Sequence, residues 1–179
     1  MTPDASSLYQ DSLPVHPDAL CDAITALGLK FENFHHAPLR TVEDSKGHRD
    51  GLLTAEDGGG HIKNLYLRDK KKRNYLAVIQ EDKEVDLKQL ADQLEAQRLS
   101  FGSADRLLEN LGVRPGAVTP LAMMHGAEHD VILGLDADLL SCKTIYMHPL
   151  VNDRTIAMSP DDLMTFLAHF SITPISLSL

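Results

Sequence analysis

The chain has 179 residues, a formal net charge of −9, 43% hydrophobic residues and two cysteines. That length suits one domain spanning residues 1–179, able to bury a core without metal or disulfide staples, and the acidic balance excludes a protein that coats DNA or RNA through many phosphate contacts. Cys21 and Cys142 lie far apart without C-x-x-C spacing, so neither a redox pair nor a zinc knuckle is suggested.

In chain order, the first residues lack a basic segment followed by an apolar run, and no stretch reaches the roughly 20 apolar residues of a membrane span. We expect a cytoplasmic protein with no membrane partner. Pro17-Asp18, then Leu20, Ile24 and Leu27 at helical spacing and Gly28 behind them, predict an amphipathic helix. Residues 31–36 read as a short strand, Thr41 as the cap of a helical turn, and Gly58-Gly-Gly60 as a mobile connection. Lys63 to Arg68 and Tyr75 to Gln80 predict a hairpin around a basic turn. Asp86 and Ser103 each open a helix, carrying Leu87, Leu90 and Leu94 and then Leu107, Leu108 and Leu111, with Gly112 as the stop. Strands follow at residues 131–135, 143–147 and 155–158. Ser159-Pro160 opens a last helix, and residues 174–177 add an edge strand. Strands and helices without steady alternation predict an α/β chain of the α+β type, a mixed, curved sheet surrounded by helices, and no Rossmann fingerprint is present.

Few residues invite chemistry. Lys63 stands in an apolar strand, where an ammonium either meets an anionic ligand or snorkels at a sheet edge. The segment Gly112-Val-Arg-Pro-Gly-Ala-Val-Thr-Pro120 is a stiff loop that either presents backbone amides or simply turns the chain. His148-Pro149 begins a turn that runs to Asp153. Arg68, Lys70, Lys71, Lys72 and Arg73 crowd the hairpin turn, either as an RNA contact or as a solvated tip. His35 and His36 point to opposite faces of a strand, and His125 and His129 read as loop residues, so no metal and no cofactor are expected.

Taken in order, His35-His-Ala-Pro-Leu-Arg-Thr-Val-Glu43, Lys63-Asn-Leu-Tyr-Leu-Arg-Asp-Lys70, Leu99-Ser-Phe-Gly-Ser103, Leu111-Gly-Val-Arg-Pro-Gly-Ala-Val-Thr-Pro120 and the His148-Pro turn resemble one family. It is that of the stand-alone relatives of the bacterial prolyl-tRNA synthetase editing domain, the YbaK-like aminoacyl-tRNA deacylases, and the likeness is to its ProXp-ala (PrdX-type) branch. The resemblance covers residues 35–170 and departs at Leu39-Arg40, where two apolar residues are usual. It implies hydrolysis of alanine wrongly attached to proline tRNA, with the aminoacylated tRNA end as partner, prolyl-tRNA synthetase as a second one, and no DNA; the alternatives are a deacylase for another misacylated tRNA, carrying cysteine or serine, and a non-catalytic module that binds aminoacyl-tRNA or a synthetase. It implies that Lys63 holds the terminal phosphate or sugar, Asn64 orients the aminoacyl group, the amides of Gly116, Ala117 and Val118 stabilise the tetrahedral oxygen, and His148 bonds the substrate or shapes the pocket. Phe34, His36, Leu39, Thr41, Thr119 and Asn152 are the expected substrate contacts. No covalent intermediate is expected, since no nucleophile elbow is present.

Overall fold

The computed structural model describes residues 2–179. After a 3-10 turn the chain runs α1 (Pro17–Ala26), β1 (Glu32–His35), α2 (Val42–Lys46), β2 (Gly59–Arg68), β3 (Asn74–Gln80), α3 (Leu87–Gln93), β4 (Ser100–Phe101) and α4 (Ala104–Leu111). It continues through α5 (Met123–Gly126), β5 (Ile132–Asp136), β6 (Thr144–Met147), β7 (Arg154–Met158), α6 (Pro160–His169) and β8 (Ile175–Leu177). The sheet order is β1-β7-β6-β2-β3-β5-β8, with β4 also paired to β2. The β2–β6, β3–β5 and β5–β8 pairs are parallel and the others antiparallel, so the fold is α+β with a mixed sheet.

The helices begin where a side chain can take an orphan amide. His16 Nδ1 accepts from the Asp18 amide, Asp86 from those of Lys88 and Gln89, Ser103 from Arg106 and Ser159 from Asp162. Thr41 and Asp44 form a reciprocal capping box at α2. β3 is buried on both faces, which explains its continuous apolar run. Leu76 and Val78 pack with Leu20, Ile24, Leu111 and Phe166, whereas Tyr75, Ala77 and Ile79 pack with Leu90, Leu94 and Leu177. Truncating a fully buried residue such as Leu76 to Ala costs about 2–5 kcal/mol.

Two expectations need correction, and one element escaped the sequence. Gly59 and Gly60 are not a mobile connection: they open β2 and pair with Thr144 and Ile145 of β6. Glycine is required there because a Cβ on Gly59 would lie 2.2 Å from the Leu53 carbonyl oxygen. His129 closes a 3-10 turn that continues from α5, and the His125 and His129 rings stand 4.3 Å apart, so this stretch is helical rather than a loop. β4, only two residues long, had no pattern by which it could be read.

The strand that positions the site is β2. Its residues 59–61 pair with β6, residues 62–68 with β3, and only Leu67 and Arg68 with β4. Since β3 occupies one edge throughout, β6 and β4 share the other, and between them that edge has no strand partner. The His61 carbonyl accepts from Glu81 on the β3 side, and the Tyr66 carbonyl accepts from Gly102 on the opposite side. Alternation then turns the backbone groups of Ile62 and Asn64 toward the bare edge.

Candidate functional site

The bare edge opens on a cleft of about 370 Å³ whose lining includes Ile62 to Leu65, Gly116, Val118, His148 and Leu39 to Val42. An inner cavity of about 60 Å³ adjoins it through Leu39, Ser45, Ile62, Asn64 and His148, and adds His48, Arg49, His61 and Tyr146. Residues distant in sequence thus meet where the sheet splits.

Successive side chains of a strand take opposite faces, so Lys63 stands with Leu65 and Leu67, and Asn64 with Ile62 and Tyr66. The Lys63 ammonium donates to the Lys83 carbonyl, which leaves two of its three donors for a ligand. Asn64 Oδ1 is buried without a protein partner. An orphan acceptor of this kind costs about 1–3 kcal/mol until a donor arrives.

Across the cleft, the Ala117 amide donates to the Arg114 carbonyl at 3.0 Å and Gly116 has φ +97°. With Pro115 before it, this is a type II turn, whose third position favours glycine. The Ala117 amide is therefore spent inside the turn, which corrects the expected donor set, while Gly116 and Val118 line the cleft. A Cβ on Gly116 would meet Asn152 Nδ2 at 3.5 Å and Ala5 and Leu39 at 3.9 Å, all ordinary contacts, so the backbone angle and not crowding demands glycine.

His148 Nδ1–H donates to the Arg154 carbonyl at 2.7 Å, which assigns the tautomer and leaves Nε2 as an acceptor. Burial holds its pKa below the ordinary imidazole value, opposed in part by that bond, so the ring is neutral near pH 7. His36 stands behind it, 6.2 Å between ring centroids, bonded to Thr155 Oγ1 at 2.7 Å and to the Ala37 carbonyl at 2.8 Å.

Of the expected substrate contacts, Leu39 lines both cavities and Thr41 lines the cleft. Phe34 and His36 instead line a third cavity of about 250 Å³, which shares His48, Leu52 and Thr155 with the inner one but no residue with the cleft. Thr119 is fully buried and caps the 3-10 turn by accepting from the Leu121 amide. Asn152 lies behind Gly116, its carbonyl accepting from Leu39 and its amide donating to Ala5. These four support the wall rather than form it.

The basic turn divides. The Arg73 guanidinium is 2.8 Å from Asp69, and its Cζ lies 5.7 Å from the Tyr75 ring centroid, so it is a structural cation rather than a free RNA contact. Arg68 Nε–H reaches the Lys72 carbonyl at 3.4 Å. Lys70, Lys71 and Lys72 are exposed, roughly 20 Å along the strand from Asn64.

Sequence reasoning missed Glu81 and Arg49. The Arg49 guanidinium donates both NH groups to Glu81 at 2.6 Å each, joining the segment after α2 to the end of β3. The Leu53 amide donates to Tyr146 Oη at 2.9 Å, and His61 Nε2–H donates to the Leu53 carbonyl at 2.8 Å. Together they fasten residues 47–58 against the inner cavity. Among the described residues, no three His, Cys, Asp or Glu side chains gather as a metal site, and no helix is long and apolar enough to cross a membrane.

The family model for the aminoacyl-tRNA editing domain matches residues 36–166. Prolyl-tRNA synthetase associated domain-containing protein 1 of Bos taurus is 35% identical over 165 residues, 89% of this chain and 93% of that protein. Prolyl-tRNA editing protein ProX of Acetoanaerobium sticklandii is 32% identical over 146 residues, 81% of this chain and 86% of that protein. A solved structure described as a candidate trans-editing enzyme for prolyl tRNA synthetase matches with TM-score 0.66 at 19% identity, covering 91% of this chain and 96% of that one. At that identity the likeness is one of fold.

Proposed function

Because the chain belongs to the aminoacyl-tRNA editing domain family, we propose that it is a deacylase that hydrolyses the ester joining a wrong amino acid to proline tRNA, and that alanine is the residue removed. The tRNA acceptor end is its substrate, and prolyl-tRNA synthetase its functional partner. In this reading the two free donors of Lys63 meet the terminal phosphate or sugar, and the α-ammonium of the aminoacyl group donates to Asn64 Oδ1. The ester carbonyl oxygen faces the amides of Gly116 and Val118, whose turn is stiffened by Pro115, and the developing oxyanion is stabilised there without reorganisation. Water adds to the carbonyl carbon, the ribose oxygen leaves and takes up a proton, and the acid is released. His148 Nε2, a neutral acceptor, orients the water or a ribose hydroxyl.

The observation that carries this reading is the buried, unpartnered Asn64 Oδ1 beside the bare backbone edge of β2, an acceptor lacking a donor at the point where the cleft meets the inner cavity. The inner cavity is the proposed seat of the amino-acid side chain, and the apolar groups of Leu39, Ile62 and Met147 in its lining suit a methyl group. Its polar lining of Ser45, His48, Arg49 and Tyr146 also favours a second reading, removal of serine, whose hydroxyl those groups can bond. Incubation with proline tRNA charged separately with alanine, serine, cysteine and proline separates the two. Fast release of alanine supports the first reading, preferential release of serine the second, and no release from any of them removes both.

A further inference from the structure

Phe101 is 66% exposed, and among the phenylalanines and tyrosines of the described residues it alone stands mainly in solvent. Its surroundings hold it firmly. Leu99, two residues before, is buried, and the Gly102 amide donates to the Tyr66 carbonyl at 3.0 Å. Gly102 lies so close to the Tyr66 ring that a Cβ there would come within 2.3 Å. Tyr66 is itself fixed, its hydroxyl donating to Asn74 Oδ1 at 2.8 Å. The fold therefore presents an apolar ring to water on a two-residue strand clamped at both ends, where burial would be the ordinary fate of such a ring.

Its position is informative. Phe101 pairs with Leu67, so its side chain shares the face of β2 that carries Lys63 and Leu65, both of which line the cleft. Along the strand Phe101 stands about 13 Å from Lys63, a length that an unpaired nucleotide or two can span. Ser100 pairs with Arg68, and the exposed Lys70, Lys71 and Lys72 follow at once. Cleft, aromatic ring and cations thus form one continuous track, the combination of stacking surface and positive charge that single-stranded nucleic acid requires.

We infer that Phe101 is a stacking platform for an unpaired base next to the terminal nucleotide, positioning the RNA end so that its ester enters the cleft. The inference rests on the deacylase reading for the identity of the RNA but not for the stacking itself. The chain contains no tryptophan, so the Phe101→Trp variant carries a single indole as reporter. Titration with a short single-stranded RNA ending in CCA should quench its fluorescence, and a blunt duplex of equal charge should not. In deacylation, Phe101→Ala and Phe101→Leu should raise KM about tenfold or more with kcat within about twofold, and Phe101→Tyr should restore KM. Absence of quenching together with an unchanged KM in Phe101→Ala overturns the proposal. So does a loss of self-association in Phe101→Ala with RNA binding intact, which would make the ring a contact between two copies of the chain. Quenching without ester hydrolysis by the unaltered protein would leave the platform standing and remove the deacylase. Hydrolysis with neither quenching nor a raised KM in Phe101→Ala would do the reverse.

Discussion

Replacing Arg49 by methionine should loosen the wall of the inner cavity. The Glu81 side chain is 4% exposed and that of Arg49 22%. Removing one partner of a buried ion pair costs about 3–5 kcal/mol, because the other charge is left unpaired in a poorly solvated place. Partial exposure of the guanidinium lowers that figure, as does removal of Arg49 Nε, which is buried without a partner. We therefore expect a loss of about 2–3 kcal/mol, equivalent to roughly 5–10 °C in Tm for a domain of this size. Differential scanning calorimetry of Arg49→Met, Glu81→Gln and the double variant checks this, with the double variant recovering part of the single losses since no buried charge is left alone. A Tm for Arg49→Met within about 1 °C of the unaltered protein is the opposite result. It would mean that residues 47–58 are not fastened through this pair.

Lys63→Ala should lower turnover strongly, whereas Lys71→Ala should mainly weaken tRNA binding and reduce the salt dependence of affinity by about one counterion; equal effects on kcat at both positions would contradict this division. Because burial keeps His148 neutral, kcat/KM should stay flat from about pH 8 to about pH 6.5 and fall only below that, as the ring gains its proton. A half-loss of rate above pH 7 would show that Nε2 is not the acceptor described. Burial raises the pKa of Asp69, but bonds from Arg73, Gln97 and Tyr75 outweigh it and hold the carboxyl below the ordinary range. Its contribution is therefore complete above about pH 4 and lost as pH falls through the depressed value, so the Tm gap between the unaltered protein and Asp69→Asn should close on acidification. A gap that does not change with pH would exclude the carboxylate as the anchor of Arg73.

Local signals in the sequence reached far. Thr41, Asp86, Ser103 and Ser159 were legible as caps because each offers an oxygen three residues or fewer before an orphan amide. The apolar run of β3 and the hairpin through the basic turn were legible by pattern, and Lys63, Asn64, Gly116, Val118 and His148 do meet at one cleft. What was not legible depended on distant partners. Glu81 has no neighbour in sequence that marks it, since Arg49 lies 32 residues away. Gly59 reads as flexible until the Leu53 carbonyl is seen against it. The amide of Ala117 looks available until the turn closes on Arg114, and Arg73 looks like a surface cation until Asp69 is found buried beneath it. Phe34, His36, Thr119 and Asn152 sit in the right segments, but the first two line the third cavity and the other two cap and brace the wall, so none lines the cleft.

The decisive measurement is release of labelled amino acid from proline tRNA charged with alanine, compared with the same tRNA charged with proline. Alanine should be freed at catalytic rates and proline spared, and Gly116→Ala, which disturbs the turn proposed to present its amides to the ester, should abolish most of the release while leaving the fold intact. Equal release of both amino acids, or none from either, would contradict this assignment.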